Sequence, residues 1–118
     1  ITLASSDAGS TWRTIDDYTT STVGAFSYPG LAIGFDLTGS LWLAGIGYNP
    51  SFGTYSIVRT NASGTFINSD SFTFDVTKVA IAWSVYAAPY TGNIYSYGSA
   101  TDSAGITHWY MRQKDCGL

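Results

Sequence analysis

The sequence predicts an all-β fold, a single-domain antiparallel β-sandwich or barrel or a set of propeller-like units, covering residues 1–118 and built from two degenerate repeats. Three observations lead there. Every one of the eight acidic residues is Asp, Lys is limited to Lys78 and Lys114, and aromatics make up 16% of the chain. Helix formers for exposed faces are therefore scarce, while abundant Thr, Ser, Tyr, Val and Ile favour pleated, half-buried surfaces. The run FDLTGSLWLAGIGYNPSFGTYS, residues 35–56, returns as FDVTKVAIAWSVYAAPYTGNIYS, residues 74–96. Phe35 and Phe74 are 39 positions apart, as are Pro50 and Pro89, and the offset slips to 40 at Tyr55 and Tyr95. Self-similarity at this period marks a repeated structural unit. Lastly, short turn signals punctuate the chain at near-regular spacing, as in sandwiches, barrels and propellers.

Taken in order, residues 1–10 are small and polar and suit a short edge strand or an arm. Thr11–Ile15 follows as a strand carrying Trp12, then the polar turn Asp16-Asp17-Tyr18-Thr19-Thr20-Ser21. Ser27-Tyr28-Pro29-Gly30 is a turn, with Pro fixing φ and Gly free to go positive. Leu31, Ile33, Phe35 and Leu37 alternate with Ala32, Gly34 and Asp36, the period of a half-buried strand. Thr38-Gly39-Ser40 leads into a strand from Leu41 to Tyr48, and Asn49-Pro50-Ser51-Phe52-Gly53 connects it to Thr54–Arg59. Asn61-Ala62-Ser63-Gly64 is a hairpin tip before Thr65–Asn68. Phe72, Phe74 and Val76 alternate with Thr73 and Asp75 as a further strand would. Val79, Ile81, Trp83 and Val85 are expected to form the deepest core face. Behind them, Ala80, Ala82 and Ser84 invite close approach by another sheet or chain. Asn93–Gly98 and Ile106–Arg112 complete the set, Trp109 and Met111 facing away from His108 and Tyr110. Similar turns precede Trp12 (Asp7-Ala8-Gly9), Phe66 (Ala62-Ser63-Gly64) and Trp109 (Ala104-Gly105). The expected arrangement is two related four-strand units, the terminal strand completing the first and closing its edge.

Charge narrows the function classes. Net charge is −3, the pI is near 4.5, and the five cations are scattered. Nucleic-acid binding through counterion release therefore has no basic patch to work with, and anionic membranes are disfavoured. No apolar run approaches the roughly 20 residues that span a bilayer. The chain begins at Ile1 without Met, from which a cleaved leader and a secreted protein are expected. Cys116 leaves two readings open, a free thiol near the terminus or an intermolecular disulfide. Asn61-Ala62-Ser63 is a glycosylation sequon in a suitable turn, whereas Asn49-Pro50-Ser51 is disqualified by its proline.

Catalytic and metal chemistry find little support. His108 is the sole histidine and has no G-x-S-x-G elbow to serve. Asp36 and Asp75 occupy equivalent repeat positions beside Thr, where Asp caps a turn through its own backbone. One Cys and one His give no zinc spacing. The acidic stretch beginning at Asp16 is similar to the calcium stretch of βγ-crystallin domains. Tyr86-x-x-x-Tyr90-x-Gly92-x-x-Tyr95 resembles their aromatic corner, which would imply calcium on the Asp16-Asp17 turn. Tyr48, Phe52 and Gly53 upstream depart from that spacing and no second acidic stretch matches, so a plain polar turn is expected, with no cofactor. Gly92-Asn93-Ile94-Tyr95 through Ile106 resembles fungal propeller lectins, but their acidic sugar ligand would fall near His108 here.

Four Trp and nine Tyr exceed what one small core needs. Flat rings beside amides suit neutral polyols, which stack their C–H faces and hydrogen-bond through their hydroxyls. Tyr48, Asn49, Tyr86, Tyr90, Asn93 and His108 are the expected ligand-binding residues, the first five at the mouths of equivalent loops. The expected function is non-enzymatic, lectin-like binding of neutral carbohydrate or a glycoprotein surface by a secreted homo-oligomer. Recognition of a protein surface by a secreted effector or immunomodulatory protein comes second, and a small hydrolase using His108 third.

Overall fold

The computed structural model describes residues 1–18, 30–49 and 53–115, and among them the chain is all-β, without helix. Three antiparallel sheets are present. Strands β1 (Thr2–Ala4) and β2 (Arg13–Asp16) form a small hairpin sheet. A four-stranded meander follows, made of β3 (Gly30–Phe35), β4 (Leu41–Asn49), β5 (Gly53–Thr60) and β6 (Ile67–Phe72). The last sheet is a three-stranded meander of β7 (Ala80–Ala87), β8 (Ile94–Thr101) and β9 (Thr107–Lys114).

The sheets stack in chain order. In the middle sheet Trp42 pairs with Thr60 and Ala44 with Val58, and this face meets β7. The opposite face carries Leu43, Ile57 and Arg59, and the β1–β2 hairpin lies over it, bonded through Asp16 to Arg59 and through Tyr18 to Tyr55. The core between the second and third sheets holds Trp42, Ala44, Val58, Ala82, Val85 and Ile94, all buried. Its small residues let the layers approach closely. A Cβ placed on Gly34 would sit 3.2 Å from the Val85 carbonyl.

The core face of β7 is the reverse of the one its large residues suggest. Ala80 and Ala82 are fully buried, whereas Val79 and Trp83 are half exposed. The register shifts between Ala82 and Ser84, and the extra residue flips the parity so that Val85, unlike Trp83, turns inward. The large residues of β3, Leu31, Ile33 and Phe35, also face outward, with Ala32 and Gly34 toward β7. Phe74 and Val76 do not extend a strand; Phe74 precedes and Val76 lies within the Asp75–Lys78 turn that carries the chain from β6 to β7 in the next sheet. Nor does the terminal strand complete the first unit, because β9 pairs with β8.

Aspartate heads several of the turns. Asp36 Oδ1 accepts from the Thr38 and Ser40 amides and the Thr38 hydroxyl, while Oδ2 accepts from Trp42 Nε1 at 2.9 Å. Asp102 repeats the scheme, with Oδ1 on the Ala104 and Ile106 amides and Oδ2 at 2.7 Å from His108 Nε2. Each turn needs a positive φ at its fourth residue, supplied by Gly39 and Gly105, both at 84°. At Asp75, Oδ1 accepts from the Thr77 amide and hydroxyl, as Asp36 does from Thr38. Asp7 holds Thr11 through both amide and hydroxyl. Burial works to raise the Asp36 carboxyl, but its donors Thr38, Trp42 and Ser40 together override that and hold it low.

Candidate functional site

Three turns from two sheets converge on a cleft of about 440 Å³. The Asp36–Thr38 turn forms one wall and Ala62–Ser63, in the β5–β6 turn, a second. Gly92 of the β7–β8 turn and Lys114 and Asp115 at the end of β9 close the third side, with Trp42, Thr60, Ile67 and Ser69 below. Four hydroxyls thus border the cavity, from Thr38, Thr60, Ser63 and Ser69. Thr60 and Ser63 already donate to the Leu41 and Thr65 carbonyls, and each hydroxyl oxygen keeps acceptor capacity.

Tyr90, two residues before Gly92 in the β7–β8 turn, is 96% exposed. Its turn is tightly bonded: Ala88 N–H donates to the Asn93 carbonyl, Gly92 N–H to the Ala88 carbonyl, and Asn93 N–H to Thr91 Oγ1. Asn61 supports the neighbouring turn, its Oδ1 accepting from the Leu41 amide at 2.8 Å.

The other expected ligand-binding residues lie elsewhere. Tyr48 is six residues past Trp42 on β4, roughly 20 Å along the strand, at the end where Gly53 abuts the Val76 carbonyl. Asn49 closes β4 opposite Gly53, and its side chain is outside what the structure describes. Tyr86 is on the outer face of β7, opposite Tyr95. His108 is opposite Ala100 near the far end of β8, its ring 5.2 Å from that of Phe74. The far end of β4 and the β7–β8 turn thus lie at opposite ends of the stacked sheets, because β7 runs back along the layer that β4 ascends. Tyr90 and Asn93 flank Gly92, the residue of their turn that lines the cleft, without lining it themselves; Tyr48, Tyr86 and His108 lie away from it. Asp36, Thr38, Ser63 and Ser69 join the site unforeseen, signalled in sequence only by the paired Asp-x-x-Gly and Asn-x-x-Gly turns.

The chemistry of the remaining candidates is accounted for locally. His108 occupies the place in its Asp turn that Trp42 fills in the other. Asp102 is held low by the His108 bond and by the Ile106 amide. Asp16 spends both oxygens on Arg59. Thr19, Thr20 and Ser21 lie outside the described residues, as does Cys116. Among the described residues, no group of three or more His, Cys, Asp or Glu is placed to hold a metal ion. No described helix is long and apolar enough to cross a membrane. A second cavity of about 460 Å³ opens between β1 and β3–β4. Its polar groups, Asp16, Arg59 and Tyr18, are bonded to each other or to Tyr55. Comparison with protein-family models, with curated proteins and with solved structures finds no match.

Proposed function

We propose that the protein is a secreted, non-enzymatic lectin-like module that binds neutral carbohydrate in the cleft where its three turns meet. One observation carries the reading: a cleft bordered by four hydroxyls, with the exposed ring of Tyr90 two residues before Gly92 in the turn that forms one of its sides. The ring offers a face to sugar C–H groups, and Thr38, Ser63 and Ser69 offer hydrogen bonds to its hydroxyls. The cleft volume falls within the range of small-ligand sites. The two repeats are read as related units, supported by the matching bonds at Asp36–Thr38 and Asp75–Thr77. Use of His108 as a hydrolytic base is disfavoured, since Asp102 engages it within a structural turn.

A glycan array tests the reading. Retention of uncharged glycans, competed by simple sugars at tens of millimolar as weak single sites require, is the expected result. Absence of any glycan signal on folded protein overturns it. The alternative, recognition of a protein surface, is favoured by the aromatic residues on the outer face of β7–β9.

A further inference from the structure

The β7–β8–β9 sheet is covered on one face only. Its inner row, including Ala82, Ile94, Ser96 and Ala100, is buried. Outward stand Trp83, Tyr86, Tyr97, Trp109 and Met111, between 47% and 96% exposed. They form one surface, with Tyr97 opposite Met111, Trp109 opposite Ser99, and Trp83 Nε1 donating to Ser99 Oγ at 3.1 Å. The charged residues of these strands, Arg112 and Lys114, pair with Ser96 and Ile94 on the inner row, so the outer face carries no charge.

We infer that this face is where a second copy of the chain docks, sheet upon sheet. Three considerations select that occupant. The chain already stacks one sheet on the next through small and aromatic residues, and the outer face of β7–β9 continues the stack. An uncharged face is where two copies of a chain with net charge −3 meet without like charges opposed, and in a two-fold pair it is its own complement. The area also suffices. A fully exposed Trp offers about 250 Å² and half-exposed rings about 100 Å² each, so this face presents roughly 700 Å², near the ~800 Å² per partner of a stable interface. An exposed apolar patch of that size marks an interaction surface. The inference goes beyond the carbohydrate reading and rests on a different surface. The turn cleft lies at the sheet ends, so a pair would present two sites and gain avidity.

Sedimentation velocity on the full chain under reducing conditions tests it, without interference from Cys116. The wild type is expected at twice the 12.6 kDa chain mass at hundreds of micromolar. Trp109→Glu, at a fully exposed position, is expected to weaken association by about 30-fold or more, as for a central aromatic anchor, with an unchanged circular dichroism spectrum. Should Trp109→Glu fail to fold, Tyr97→Glu replaces it, with the same expected loss. A wild type that stays at one chain mass overturns the proposal, as does a folded variant that still pairs fully. Glycan binding by a monomeric wild type would overturn the interface while leaving the carbohydrate reading intact.

Discussion

Arg59 holds Asp16 through two parallel hydrogen bonds, Nη2 to Oδ1 at 2.6 Å and Nε to Oδ2 at 2.8 Å. The pair ties the first sheet to the second across 43 residues of sequence, and both side chains are largely buried, 14% and 8% exposed. Tyr18 covers the guanidinium, whose carbon lies 4.7 Å from the ring centroid.

Breaking one half of that pair leaves a buried charge alone. Arg59→Met is expected to cost about 3 kcal/mol or more, whereas Arg59→Met with Asp16→Leu should recover much of the loss. Urea midpoints measure both. A double variant as unstable as the sum of the singles contradicts the assignment.

The two Asp turns should respond unequally. Asp36→Ala strands the buried Trp42 indole N–H and two amides, so a loss of about 1–3 kcal/mol is expected. Asp102→Ala frees His108, whose side chain is 44% exposed and can turn to water, and should cost less. Thermal melting of the two variants side by side decides it.

Gly98 tolerates no side chain. A Cβ there would lie 1.8 Å from the Ile81 carbonyl oxygen and 2.9 Å from the Tyr110 hydroxyl. Gly98→Ala is expected to destabilise by more than about 3 kcal/mol, at the upper end of overpacking costs. A variant with wild-type chemical denaturation would contradict the close approach of Gly98 to Ile81.

Acid should weaken the fold at its turns. Asp7 is lowered to about 2 by the Thr11 hydroxyl and amide and by Ser5. Asp75 is held low by the Thr77 amide and hydroxyl. A carboxyl lower in the folded than in the unfolded chain stabilises above its unfolded value, 3.8. That contribution fades as pH falls through the folded value. Melting temperature should therefore drop between about pH 4 and 2, and Asp7→Asn should flatten the drop. At the alkaline end, burial and the Tyr55 hydrogen bond push Tyr18 up to about 12. Its contribution holds below the unfolded value of 10.0 and is lost as pH rises through the folded one. Burial also raises Tyr110, so tyrosinate absorbance should show late-titrating rings, with one fewer in Tyr18→Phe.

Strand content and most turns were readable from alternation and from Gly placement, because both are local. The inner and outer faces of β7 were not. Choosing the large residues as core is sound for a sheet packed at ordinary distance, but Ala80, Ala82 and Gly34 let these layers meet more closely. The Trp83 bulge then shifted the parity midway through the strand. The site was half visible for a related reason. Tyr90 and Asn93 announce an exposed turn by themselves, but nothing in the chain order says that Thr38 and Ser63 will meet it. That depends on the direction in which one sheet crosses another. The same crossing separates Tyr48 from Tyr90, although their sequence surroundings match.

Titration calorimetry of the wild type and Tyr90→Ala, using the uncharged glycan best retained on the array, tests the cleft most directly. Tyr90 is 96% exposed, so the variant should melt with the wild type. Its affinity should fall at least about tenfold, or 1.4 kcal/mol. An unchanged Kd on a folded variant would contradict a site built around that ring.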